Sequence, residues 1–324
     1  MAGLRGNVAW LLAQKQTVKG TPAVIAELSA HKNPLSGGNI APTRETDNLS
    51  ETDSSRDRGI AYVTTSGVEG SPEFYARDAS IGFWLWAALG ADAVSGTTPD
   101  YTHTITPANA LPYITAWRNV GDTLWEQYLD CKVGSLTISG SAGEPLSVTA
   151  GITGLQATRL TAAPDTAVPI AIASGPVYSF NDATVTLGGG VTALVSSFEL
   201  SIENNLTSQQ TDDVVPYDIA EGSREVSLSF DLIFESLDEY NKFHYGGAAG
   251  TTVSKDIFTT SALFTFDKGA DNSIGFNLPS IAYTDFPVEP SASGDPVTVS
   301  VAAAAQRGAS PVVTATVANQ VASY

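Results

Sequence analysis

The chain has 324 residues, enough for two domains of ordinary size, each with its own core. Its 34 acids against 16 bases give a formal charge of -18, which excludes ordinary binding to phosphate backbones, because that needs clustered Lys and Arg. The lone cysteine, Cys131, excludes an intrachain disulfide and suits a reducing compartment, and a charged fraction of 15% favours a mainly β chain.

The first apolar patch, Val8 to Ala13, follows Arg5 and gives way at once to Gln14 and Lys15. It is too short for a secretory h-region, and no run approaches the ~18 apolar residues that span a bilayer. The chain therefore reads as soluble, leaderless and without a membrane partner. A polar stretch, Thr43 to Arg58, precedes a strand-like run from Ile60. Ile81, Trp84, Leu85, Ala88 and Leu89 then fall at helical spacing, with Gly90 as the stop and Trp84 and Trp86 as core residues. Ile105 and Tyr113 to Trp117 read as strands. Leu136 to Ser141 and Leu146 to Thr153 alternate apolar and polar about a turn-rich segment, Ser139 to Pro145, which predicts a hairpin with one buried and one wet face. Alternation lapses over Ala157 to Ser174, placing the domain boundary there and giving units 1–160 and 161–324.

Gly188 to Gly190 lack the Gly-Lys-Ser/Thr of a phosphate loop and read as a turn. Phe198, Leu200 and Ile202 alternate with Ser197, Glu199, Ser201 and Glu203. Beyond a second polar stretch, Asn204 to Ser223, Val226, Leu228, Phe230 and Leu232 alternate with Glu225, Ser227, Ser229 and Asp231. The wet faces carry Glu199, Glu203, Glu225 and Asp231 and no base, and like charges opposed across a pair of strands cost up to ~1 kcal/mol. A helix opens at Ser236, with Ser236 and Glu239 spaced for a capping box and Gly246 as its stop. Leu263 to Phe266, Ile274 to Tyr283, Val297 to Val301 and Val312 to Val317 complete the strands. Asp267 to Asn272 lacks the closing Glu of a calcium loop and reads as a turn. Thr46-Asp47 and Thr211-Asp212 sit in the two polar stretches, each followed by a strand and a helix, with an offset near half the chain. That correspondence predicts a duplicated β-rich unit.

Nothing in the sequence nominates a catalytic, cofactor-binding or metal-binding residue. His31, His103 and His244 share no ligand spacing and read as surface or half-buried residues. Cys131 has no neighbouring His, and no G-x-S-x-G or H-E-x-x-H occurs. The expectation is a structural protein without cofactor and without enzymatic activity. The alternatives are a carbohydrate-binding sandwich with Trp117, Trp125 and Tyr128 as a sugar platform, and a β-rich hydrolase with an unrecognised acid pair.

The chain resembles the major tail tube proteins of long-tailed, siphovirus-like bacteriophages. The resemblance lies in Ser197 to Leu206, the Thr211-Asp212 loop, Gly222 to Phe230, Leu136 to Gly140 with Gly143 to Val148, and Val312 to Tyr324. It implies two tandem β-sandwich or barrel domains, each with a short flanking helix, whose inner strands join on oligomerisation into a closed barrel around a channel. It implies stacked rings of three chains with pseudo-six-fold symmetry, or of six, forming the hollow tube of a virion tail through which DNA is ejected. Expected partners are further copies of the chain, a tape-measure protein, tail terminator and distal tail proteins, and double-stranded DNA passing without specific binding. Glu199, Glu203, Glu225 and Asp231 become candidates for the lumen face. Two long loops become candidates for ring stacking: Thr43, Glu45, Asp47, Glu51, Asp53 and Arg56 in the first, and Thr211, Asp212, Asp213, Tyr217, Asp218 and Glu221 in the second.

Overall fold

The computed structural model describes residues 6, 8–27, 29–52, 57–188, 191–269, 271–289 and 296–324. The first half supplies β1 (Ala9–Lys15), β2 (Ala30–Pro34), β3 (Ile40–Asn48), β4 (Ala61–Gly70), β5 (Glu73–Tyr75), α1 (Asp78–Leu89), β6 (Gly90–Thr97), β7 (Asp100–Pro107), β8 (Ile114–Val120), β9 (Leu124–Ser141), β10 (Ser147–Gly154) and β11 (Gln156–Leu160). The second supplies β12 (Ala183–Leu187), β13 (Val191–Thr192), β14 (Val195–Glu203), β15 (Thr207–Gln209), β16 (Asp218–Ala220), β17 (Glu225–Ile233), α2 (Asp238–Tyr245), β18 (Thr259–Asp267), β19 (Ser273–Asp285), β20 (Thr298–Ala305) and β21 (Thr314–Asn319). With 53% strand against 8% helix the chain is mainly β, and its sheets do not close on themselves.

The pairing is antiparallel throughout these sheets. A long sheet runs β3–β4–β10–β9–β14–β17–β20, with β5 continuing the line of β4 beside β10. A facing sheet runs β6–β7–β21–β19–β18–β12–β13. A side sheet runs β2–β1–β8–β9–β11. Strands of the two halves thus pair at two places, β9 with β14 and β7 with β21.

β9 serves two sheets because it turns at Asp130. That residue has a left-handed φ of 54°, which Asp tolerates better than most side chains. Its carboxylate fixes the turn by accepting from Gly20 N at 2.8 Å and from the Gln16 amide. Residues before the turn pair with β8 and β11, Cys131 just after it still meets Ile114 of β8, and residues from Lys132 on pair with β10 and β14.

Strand alternation puts Leu136, Ile138, Val148, Ala150, Phe198, Leu200, Ile202, Val226, Leu228 and Phe230 inward, where all are buried. The long and facing sheets meet through aromatic rings: Phe198 lies 5.2 Å from both Phe264 and Phe266. Helix α1 is buried from Ser80 to Leu89 and is apolar on every side, because β9, β7, β21 and β2 enclose it. Left-handed glycines end both helices, Gly90 with φ 103° and Gly246 with φ 71°.

Three expectations need correction. The capping box of α2 is absent: Ser236 accepts from Asp238 N, but the Glu239 carboxylate turns inward to Tyr283 Oη at 2.5 Å and to Lys242. A buried phenol outcompetes an exposed helix end for that carboxylate. The stretch from Thr43 is not a loop throughout, since Thr43 to Asn48 pair with β4 in a hairpin whose far half is exposed on both faces. His31 and His103 are buried, not superficial, and both pack beside Tyr324.

Phe264 is fully buried between the sheets, so Phe264→Ala is expected to lower unfolding free energy by about 3–5 kcal/mol in denaturant titration. A loss below ~1 kcal/mol would show that the two sheets do not share this core.

Candidate functional site

The outward face of the long sheet is built by register. One row runs Ser141–Ser197–Asp231–Ser300, and the next runs Ser147–Ser139–Glu199–Ser229–Ala302. A third runs Thr149–Thr137–Ser201–Ser227–Ala304, and Ser135–Glu203–Glu225 lies below it. Glu199, Glu203, Glu225 and Asp231 therefore share one face, as their alternation requires. Glu199, Glu203 and Glu225 are exposed, and Asp231 is half-buried. Glu203 and Glu225 are direct cross-strand partners, a repulsive pairing that a sheet selected only for stability would avoid. Asp231 is held by two hydroxyls, Ser197 Oγ and Ser300 Oγ, each donating at 2.6 Å. In these four rows the residues are Ser, Thr, Ala, Glu and Asp, with no base. The result is a smooth acidic surface of short side chains around a shallow depression lined by Ser139, Ser197, Glu199, Ser229 and Asp231.

The long sheet is open along β3 and along the first half of β20. Among the described strands β3 pairs only with β4 and Thr298 to Val301 of β20 only with β17, while Ala302 to Ala305 pair with β19 and join the long sheet to the facing one. Pro42 lies in β3, and a proline without an N–H is tolerated in sheets at such an edge.

The two long connections lie apart in sequence but touch. Thr43, Glu45 and Asp47 lie on β3, and Glu51 is exposed beyond it, while Asp53 and Arg56 lie outside the described residues. Thr211, Asp212 and Asp213 are exposed, and Tyr217 is exposed beneath the Lys19 ammonium, 4.3 Å from its ring centre. Ser66 N donates to Val214 O at 2.8 Å and Gln210 Nε2 to Thr65 Oγ1 at 3.0 Å, so the second connection leans on the β3–β4 hairpin. Its base is anchored to the first half. Asp218 accepts from the Tyr113 hydroxyl and pairs with Lys19 at 3.2 Å. Glu221 takes Lys132 Nζ at 2.7 Å and Leu111 N at 3.1 Å. Burial alone would raise both carboxyls. The Tyr113 and Lys19 contacts at Asp218, and Lys132 with Leu111 N at Glu221, outweigh it and hold both below the ordinary carboxylate range. These anchors involve Lys19, Tyr113 and Lys132, which sequence reasoning missed; an isolated Lys in an apolar strand, as at Lys132, was the available signal.

The sugar platform is not assembled. Tyr128 is fully buried with its hydroxyl on Glu126 and Ile40 O, and Trp117 is 2% exposed. Cys131 is buried, which pushes its thiol well above the usual range. Among the described residues no group of three or more His, Cys, Asp or Glu could hold a metal ion, and no helix is long and apolar enough to cross a membrane.

Open sheet edges, an acidic face and long exposed connections are the distinguishing features of this mainly β chain. The family model described as phage tail tube protein matches residues 6–319, and the chain belongs to that family. It is accordingly a structural component of a phage tail. Among curated proteins none matches the chain.

Lys132→Met is expected to free the base of the second connection, raising amide exchange over residues 207–220 and costing about 1–3 kcal/mol. The carboxyls of Asp218 and Glu221 are depressed in the fold, so their contribution is present above the unfolded values of 3.8 and 4.5 and lost as pH falls through the folded ones. Exchange over this segment should therefore rise on acidification below about pH 4.5 in the native chain. An unchanged segment in both experiments would contradict the anchoring.

Proposed function

We propose that copies of this chain polymerise into stacked rings that form the hollow tail tube of a siphovirus-like phage, the conduit for DNA ejection. The observation that carries this reading is the long sheet, which runs unbroken across both halves and is open along β3 at one side and along Thr298 to Val301 of β20 at the other. A wall with two open edges is completed by copies of itself, and closure removes edges that would otherwise pair at random.

The two halves repeat one order: an antiparallel pair with a long connection, a helix, then a hairpin. β3–β4, α1 and β6–β7 correspond to β14–β17, α2 and β18–β19. This supports tandem tube units divided near residue 160 and a ring of three chains with pseudo-six-fold symmetry. The β9–β14 junction inside the chain would then be the template for the junction between chains.

Glu199, Glu203, Glu225 and Asp231 would line the channel. Their charges act over a screening length of about 8–10 Å, so phosphates crossing the lumen are repelled from the wall and release no counterions onto it. The β3–β4 hairpin and residues 204–224 would meet the adjoining ring. A tape-measure protein would fill the tube before DNA does, with terminator and distal tail proteins at its ends.

Concentrated purified protein, viewed end-on by electron microscopy, is expected to give hollow rings or tubes with three chains per ring. Six chains per ring would remove the tandem reading, and a persistent monomer even with preformed tail tips would remove the tube. Reversing the face with Glu199→Lys and Glu225→Lys is expected to leave assembly intact while making tubes retain duplex DNA at low salt; assembly with no gain in DNA retention would place those residues outside the channel.

A further inference from the structure

Residues 320–324 follow β21 and cross the start of α1 as a short strap. Asn319 ties the strap at its root, donating from Nδ2 to Asp78 O at 2.9 Å and to Tyr324 Oη at 2.7 Å, while its Oδ1 accepts from Val321 N at 3.0 Å. Tyr324 is buried, its ring 4.3 Å from that of His103 and 5.7 Å from that of His31. Its hydroxyl rests against Gly82, where a side-chain carbon would come within 1.9 Å of it, so only glycine admits the strap there.

His103, on β7, fixes the strap from the other side. Its side chain has no exposure. Nδ1 lies 2.8 Å from Asp92 Oδ2 on β6, and Nε2 lies 2.7 Å from Val321 O. A backbone carbonyl can only accept, so Nε2 carries a proton. An ionised carboxylate can also only accept, so Nδ1 carries one too. We propose that His103 is a buried imidazolium that locks residues 320–324 over α1, and that the strap loosens as pH rises.

The surroundings agree with a cation at this place. Burial alone would lower the basicity of His103; the Asp92 hydrogen bond, the Val321 carbonyl and the Asp92 charge outweigh it and raise its pKa above 6.5. Beyond the Tyr324 ring lie the other titratable groups of this region: His31 on β2, Asp78 at the start of α1, and Tyr178. Burial lowers His31 to about 4 against the opposing pull of Ala79 O, so it is neutral and donates from Nδ1 to that carbonyl. Burial raises Asp78, Tyr178 and Tyr324. The paired charges are thus those of His103 and Asp92, and the strap hangs on a proton. A group whose folded pKa is raised contributes fully below its unfolded value, near 6.5, and loses that contribution as pH rises through the folded value. The opening equilibrium of the strap should rise by up to about tenfold per pH unit across that window. Because β7 and β21 pair across the two halves, the loosening falls on the facing-sheet junction and leaves β9–β14 untouched.

Two measurements on the full-length, unassembled chain test this. Long-range nitrogen–proton NMR of the histidine rings at pH 6 should show both His103 nitrogens protonated; one protonated and one bare nitrogen, as with the proton residing on Asp92, overturns the proposal. Hydrogen exchange of residues 314–324, corrected for intrinsic rate, should lose protection as pH rises above about 6.5 in the native chain. Asp92→Asn should keep the strap closed at every pH, because neutral His103 can accept from the new amide while still donating to Val321 O. A native profile flat with pH, or the same transition in Asp92→Asn, overturns the proposal.

Discussion

The fold depends on the pairing of β9 with β14, Ser135 to Ser141 against Glu203 to Ser197. Through it the long sheet crosses from one half of the chain to the other without an edge. β9 can reach β14 only because Asp130 turns the strand out of the side sheet. The aromatic core behind the pair, with Phe198 between Phe264 and Phe266, keeps the facing sheet in register with it. Backbone pairing sets the direction of this wall, and apolar burial on one face alone leaves the other free for a function.

That free face is where stability yields to another demand. Glu203 opposite Glu225 is a pairing that costs free energy, and neighbouring positions are filled with Ser, Thr and Ala in place of bases that would relieve it. The same chain does pair acids with bases elsewhere, at Lys32 with Asp165, Arg118 with Glu126 and Lys132 with Glu221. Acidity on the wall is therefore a property of that face and not only of the composition. In the proposed tube, a face of uniform sign would hold phosphates off the wall.

Strand alternation made much of this legible. Leu136, Ile138, Phe198, Leu200, Val226 and Leu228 point inward as their period-two spacing requires, and the four acids consequently share the opposite face. Both helix stops were readable from Gly90 and Gly246, because a left-handed position favours glycine. Long-range choices were not readable. The inward turn of Glu239 depends on Tyr283, far along the chain, and the burial of His31 and His103 depends on Tyr324. The anchoring of Asp218 and Glu221 depends on Lys19, Tyr113 and Lys132 in the other half. Local pattern carries which face a residue takes, and tertiary contact decides what it meets there.

A side-chain-resolved cryo-electron microscopy reconstruction of assembled tubes is the most direct measurement. The expected map shows the long sheet continuing between chains through the edges of β3 and β20, with Glu199, Glu203, Glu225 and Asp231 facing a central channel. A map in which those edges stay unpaired, or in which the four acids face the outside of the tube, contradicts a wall built from one repeated sheet.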